Sequence, residues 1–140
     1  MATMNVEILT PEAALWTGTA SALMARSSEG EFTVLPEHTA TVGDVVPYVV
    51  RVQTTDEGEI AFAVHSGFFQ VGKGLEPDVT LATVLASVAE RTTEIDVPRA
   101  QAAKEAAEAR LAAATQGEDE ELLAYAALQR AELRLSAASQ

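Results

Sequence analysis

Cysteine is absent from the 140 residues. That excludes disulfides, thiolate metal sites and cysteine nucleophiles, and nothing points to an oxidising compartment. Basic side chains are scarce: nine Lys and Arg stand against 21 Asp and Glu, a formal charge of −12. Phosphate backbones are bound through a cationic footprint that such a chain lacks, so nucleic acid is excluded as a partner. No apolar run approaches the ~20 residues needed to span a bilayer. Residues 1–20 have neither a basic start nor an uninterrupted apolar stretch, so no secretory leader is predicted. Together these features predict a soluble, cytoplasmic-type protein with no direct membrane insertion, reaching a membrane through a partner if at all. A hydrophobic content of 48% excludes a wholly disordered chain. The length suits one domain, or one domain with a small appendage.

Catalytic machinery is missing too. His38 and His65 are the two imidazoles, and neither has a metal-ligand spacing such as H-E-x-x-H. Ser66-Gly67 does not complete a G-x-S-x-G elbow. Most carboxylates fall in turns or on solvated helix faces. Gly67-Phe68-Phe69-Gln70-Val71-Gly72-Lys73-Gly74 comes within one residue of a phosphate-binding loop, but glycine replaces the hydroxyl that would hold Mg²⁺. Its bulky interior also favours a strand over a loop whose amides wrap a phosphate. No catalytic residue, metal site or required cofactor is predicted.

What is present changes character near residue 92. All four Phe, the single Trp and seven of the eight Gly precede that point, whereas 15 of the 41 residues from Ala100 to Gln140 are Ala. Alanine is the strongest helix former, so residues 1–91 read as all-β and residues 92–140 as helical. Met4 to Ile8 alternates as a half-buried strand should. Further extended runs are Ala20–Arg26, Glu31–Leu35, Tyr48–Gln53, Glu59–Val64, Phe68–Val71 and Val79–Leu85, with Asp56-Glu57-Gly58 as a hairpin turn. Many short strands at this spacing favour a sandwich or flattened barrel.

In the second half, Ala100, Ala103, Ala107, Leu111 and Ala114 form one helical stripe, and Ala124, Leu128, Ala131, Leu135 and Ala138 another. Gln116-Gly117-Glu118-Asp119 separates them as a helix stop followed by an acidic start. Asp96 can cap the first helix, with Pro98 tolerated in its first turn. The spacing predicts an antiparallel hairpin with facing surfaces of mostly alanine, which approach closely but adhere weakly, since a methyl buries little area. Such a hairpin could detach or open.

Six fragments in order then resemble one known family, the epsilon subunit of the F-type (rotary, proton-translocating) ATP synthase. Asn5 to Glu12 resembles its opening strand and turn, and Trp16-Thr17-Gly18-Thr19-Ala20 its aromatic-Ser/Thr-Gly step. Glu29 to His38 is similar to E-G-E-x-G-[IV]-L-P-x-H, Val64 to Val71 to V-x-G-G-F-x-E-V, and Thr83 to Glu90 to T-V-L-A-x-x-A-E. Ile95-Asp96-Val97-Pro98-Arg99-Ala100 matches I-D-x-x-R-A. The departures are Thr33, Glu37 and Ser66 where glycines are usual, Ala40 for proline, Gln70 for an acid, and a longer turn from Lys73 to Leu81. Loss of three glycines predicts altered local backbone.

The resemblance implies an α+β chain: a ten-stranded β-sandwich over residues 1–91 that binds the central stalk and c-ring, then an antiparallel two-helix hairpin over residues 92–140. It implies a non-catalytic rotor subunit that couples c-ring rotation to the catalytic head. This subunit would lie peripherally on the cytoplasmic face of a bacterial cell membrane, within the synthase. The implied partners are the gamma subunit, the c-ring and, when the hairpin extends, the catalytic alpha/beta hexamer, whose ATP hydrolysis the hairpin inhibits. By position, Glu29 and Glu31 would face the polar loops of the c-ring, and His38 would lie near gamma. Some members bind ATP as a regulatory ligand on the folded hairpin; Ile95, Asp96, Arg99, Ala100, Arg130 and Arg134 occupy those positions here. Arg130 and Arg134 would suit a polyphosphate, but they could equally pair with nearby acids, and Asp96 could be a cap alone. The alternative function is a free-standing nucleotide-sensing protein with the hairpin as an ATP clamp; co-purification with gamma separates the two.

Overall fold

The computed structural model describes residues 2–74, 76 and 78–139. Leu75 and Pro77, inside the elongated turn from Lys73 to Leu81, lie outside the described residues, as do Met1 and Gln140 at the ends of the two expected domains. The elements run β1 (Met4–Leu9), β2 (Ala14–Ser27), β3 (Gly30–Val34), β4 (Thr41–Val45), β5 (Tyr48–Thr54), β6 (Glu59–Lys73), β7 (Thr80–Arg91), a 3₁₀ turn (Thr92–Glu94), α1 (Val97–Ala113) and α2 (Asp119–Ala138). Contacts divide the chain into two compact units, one ending at Arg91 and the other beginning at Thr92.

The β unit is a ring of hydrogen-bonded strands. Its order is β1-β7-β6-β5-β2, and β2 pairs back onto β1 to close it; β3 is added to β2, and β4 to β6. All pairings are antiparallel except β1 with β7, which run parallel from Asn5↔Leu81 to Leu9↔Leu85. Alternation places Met4, Val6 and Ile8 of β1 and Ala82, Val84 and Ala86 of β7 in the core. Leu23, Val34, Val50, Val52, Phe62 and Val64 complete it from the other strands. Branched side chains suit this half-buried pleated surface. Phe32 and Phe69 stack across the interior with ring centroids 4.4 Å apart, and Gly43 leaves the space that the Phe69 ring fills.

Ten strands were implied, and seven are found among the described residues. The difference lies in β2, β6 and β7, which are 14, 15 and 12 residues long. β2 and β6 pair with different neighbours along their two halves, and β7 pairs with β6 throughout but with β1 only from Leu81 to Leu85. Irregular register between Ala20 and Ala22 in β2, and between Val64 and Gly67 in β6, marks where the strands bend. Counting each long strand twice recovers the sandwich. Two further corrections follow. β2 begins at Ala14 rather than Ala20, and the runs Glu59–Val64 and Phe68–Val71 are one strand, β6. The decoy phosphate loop from Gly67 therefore lies mostly within a strand, as its bulky interior demanded.

The three positions where glycine is usual differ in backbone, and Ser66 lies at the register irregularity of β6. Thr33 and Ser66 lie inside β3 and β6. Glu37 keeps the left-handed conformation that glycine would occupy, with φ at 71°. The turn from Asp56 to Gly58 is as read, with Gly58 at φ 73° and its carbonyl accepting from the Thr54 amide at 2.9 Å.

In the helical unit, Asp96 caps α1 by accepting from the Arg99 amide at 3.1 Å, and Pro98 sits in the first turn, where its missing N–H costs nothing. Gly117 turns the chain with φ 84°, and its amide donates to Glu121 at 3.1 Å. Asp119, Glu120 and Glu121 fill the first turn of α2, where the helix dipole favours them. The helices pack on each other, and the buried residues within them are all alanine: Ala100 and Ala107 on α1, Ala124, Ala131 and Ala137 on α2. Ala103, placed in the stripe by its spacing, is exposed instead, and Lys104 is half-buried at the neighbouring edge. A lysine stem covers more apolar surface than a methyl there.

Candidate functional site

Two regions hold the residues singled out from the sequence. In the first, the turn joining β2 and β3 carries Glu29, and Gly30 and Glu31 are the first two residues of β3. Gly30 takes φ 126°, a conformation costly for any other residue, and the Glu29 amide donates to Ser27 Oγ at 3.1 Å. Both carboxylates are exposed. Glu31 sits opposite Arg26 in the ladder, but its hydrogen-bond partner is Tyr48, whose hydroxyl donates to Glu31 Oε1 at 2.8 Å. That bond, with desolvation and the Glu31 charge, raises the Tyr48 phenol above its ordinary pKa despite Arg51 and Arg26 nearby.

His38 is exposed just beyond β3, with its amide bonded to the Leu35 carbonyl at 3.1 Å. Its Nδ1 lies 2.8 Å from the Thr39 carbonyl. A carbonyl only accepts, so Nδ1 is the donor in that bond. His38 lines a cleft of about 420 Å³ together with Glu37, Lys73 and Thr80. The Glu37 amide donates to the buried Thr80 hydroxyl at 2.8 Å, which ties this turn to the start of β7. His65, by contrast, is buried in β6. Among the described residues no group of three or more His, Asp or Glu could hold a metal ion.

The second region is the open end of the helical hairpin. Antiparallel packing of α1 on α2 brings the 3₁₀ turn into contact with α2, so residues 95–100 and the last turns of α2 share one end. Ile95 and Ala100 are buried there, Asp96, Arg99 and Arg130 are exposed, and Arg134 is half-buried. The Asp96 carboxylate is engaged as the cap. At the opposite end, Arg110 joins Glu120 at 3.4 Å across the helices.

A polar contact that the sequence reading missed lies in the β unit. Glu57, in the β5–β6 turn, accepts from the Trp16 indole N–H at 2.9 Å and from Arg91 at 3.1 Å. The Trp16 bond and then Arg91 hold its carboxyl below the ordinary range. One side chain thus links β2, the β5–β6 turn and the end of β7.

Residues 3–92 match the family model described as the beta-sandwich domain of the ATP synthase Delta/Epsilon chain, and residues 93–139 match the one described as its long alpha-helix domain. The chain belongs to the ATP synthase delta/epsilon family. It is 39% identical over 138 residues to an ATP synthase epsilon chain of Moorella thermoacetica, covering 99% of this chain and 98% of the relative. An epsilon chain of Exiguobacterium is 37% identical over 136 residues, covering 97% and 96%. Among solved structures, a chain of the Euglena gracilis mitochondrial ATP synthase (OSCP/F1/c-ring) superposes with a TM-score of 0.80 at 23% identity, covering all of this chain and 83% of the other. One from the central stalk and c-ring of the Tetrahymena thermophila mitochondrial enzyme gives 0.60 at 14%, covering 96% of each. These two likenesses concern the fold. As a family member, the chain is an accessory, non-catalytic subunit of the ATP synthase complex.

Proposed function

We propose that this family member works in the rotor, as a central-stalk subunit whose β unit holds the gamma subunit and the c-ring and whose hairpin regulates ATP hydrolysis. The β unit carries rotation without chemistry, because its large apolar core and closed hydrogen-bonded ring make it a rigid body. Glu29 and Glu31 meet the polar loops of the c-ring, and His38 faces gamma. Twelve of the 21 acids but four of the nine bases precede residue 92, a balance that favours basic ring loops as the complement. No helix among the described residues is long and apolar enough to cross a membrane. Attachment at the cytoplasmic face of the cell membrane then runs through the ring.

The observation that carries the regulatory part is the all-alanine burial within the two helices. A switch needs two states separated by a few kcal/mol, and a seam of methyl groups supplies that small difference. The packed hairpin is one state; the other extends along gamma to the alpha/beta hexamer and blocks hydrolysis. Removing residues 92–140 relieves inhibition of ATP hydrolysis while the complex still assembles. Unchanged hydrolysis in the truncated complex refutes the regulatory reading.

ATP is the ligand that holds the hairpin packed. Its phosphates would lie against Arg130 and Arg134, one helical turn apart on α2, and beside Arg99 at the start of α1, where Ile95, Asp96 and Ala100 shape the other wall. Calorimetry on the full chain detects this binding, and the absence of heat up to millimolar ATP removes it.

A further inference from the structure

Tyr48 and Glu31 are 17 residues apart and lie on strands that do not pair with each other; β2 runs between them. Arg26 is the nearer cation by position, directly across the β2–β3 ladder from Glu31. Yet among the described residues the ion pairs are Arg51–Glu59, Arg91–Glu57 and Arg110–Glu120, and none involves Glu31. The carboxylate is held instead by a phenol at 2.8 Å. An arginine there would cancel the negative charge. A neutral O–H donor fixes one oxygen and leaves the charge whole, with the second oxygen open to solvent. The raised phenol pKa keeps that donor protonated across the physiological range.

We propose that Tyr48 is a positioning residue for the contact made by Glu31: it presents the carboxylate in one orientation, unneutralised, to a cationic group on the partner. This rests on Glu31 being a ring contact, as proposed above. A free glutamate on an exposed strand must give up its rotamer freedom on binding, and Tyr48 removes that freedom beforehand. The neighbouring Glu29 has no such holder among its hydrogen bonds, its amide and not its carboxylate being engaged. Glu31 is therefore the oriented member of the pair.

The test uses the complex of the full chain with gamma, binding to purified c-ring over a range of salt concentrations. Glu31→Gln weakens binding and flattens its salt dependence, because a charge is lost. Tyr48→Phe keeps the ring of the side chain and the Glu31 charge, so binding falls about two- to twelvefold with the salt slope unchanged. The double variant binds no more weakly than Glu31→Gln alone. A Tyr48→Phe complex that binds like the parent, or losses that add in the double variant, overturns the positioning role and leaves the ring contact standing. Glu31→Gln binding like the parent overturns the ring contact itself, and the positioning role with it. Ultraviolet titration of the full chain in a Tyr125→Phe background gives an independent readout. Phenolate forms at lower pH once Glu31→Gln is introduced, and an unmoved midpoint overturns the contact.

Discussion

Replacing Ala107 by glycine measures how strongly the hairpin holds itself. Five buried methyls, on Ala100, Ala107, Ala124, Ala131 and Ala137, contribute about 0.8 kcal/mol each, or about 4 kcal/mol for the seam. That figure counts the methyls alone: the half-buried Leu111, Leu128 and Leu135 add to it, and the area the open chain already buries subtracts from it. Ala107→Gly removes one of these methyls and also costs about 1 kcal/mol in helix propensity. Ala109 lies on the same helix but is exposed, so Ala109→Gly loses the propensity alone. Amide exchange across α1 and α2 should therefore speed up about twentyfold in Ala107→Gly and about fivefold in Ala109→Gly. The ratio isolates the methyl, since propensity cancels. Equal acceleration in the two variants refutes the seam as the source of adhesion. In the assembled synthase, the Ala107 variant should also inhibit hydrolysis more than the Ala109 variant, because its packed state is weakened against the extended one.

Glu37→Gly should stabilise the β unit by about 0.5–1 kcal/mol in denaturant titration, because a left-handed conformation costs a side-chain-bearing residue more than glycine's extra entropy; a loss of stability would contradict this. Gly67→Ala should lower the melting point, since a Cβ there collides with the Leu85 carbonyl and comes within 2.9 Å of Ala86 Cα. Backbone cannot swing aside, so the cost is about 1–3 kcal/mol or more. Glu57 has a lowered carboxyl pKa in the fold, so its contribution is present above the ordinary carboxylate value and is lost as pH falls through the lowered one. Melts followed by the fluorescence of Trp16, the single tryptophan, should fall off as pH drops below the ordinary carboxylate value, and less steeply in Glu57→Gln. Identical acid limbs would exclude Glu57 as a source.

The strands with clean alternation were legible and those without it were not. β1 reads directly because Met4, Val6 and Ile8 face the core in turn. The first six residues of β2, Ala14 to Thr19, face outward on both sides or are only half-covered, so no period marks them. β4 is five residues with Val45 alone buried, and its central Gly43 looks like a breaker until the Phe69 ring is seen against it. The helical stripes were legible except at Ala103, where a choice between two adjacent edge positions fell to Lys104, and at the end of α2, where Ala137 is buried and Ala138 only half-buried. Asp96 was recognisable as a cap because its partner amide is three residues away. The contacts of Tyr48 with Glu31 and of Glu57 with Trp16 and Arg91 span 17, 41 and 34 residues. No local pattern encodes such separations; they exist only once the strand order is set.

The parallel pairing of the first strand with the last carries a cost in time. β1 is made long before β7 and can pair with β2 at once, but the edge on which Asn5 neighbours Leu81 must wait until nearly the whole β unit has left the ribosome. Sequence-distant pairing of this kind slows folding, whereas a helical hairpin with local contacts forms quickly. During synthesis the amino-terminal strand would stay unmated on the β7 side until late, and a nascent chain stalled before Thr80 would expose that bare edge to other chains.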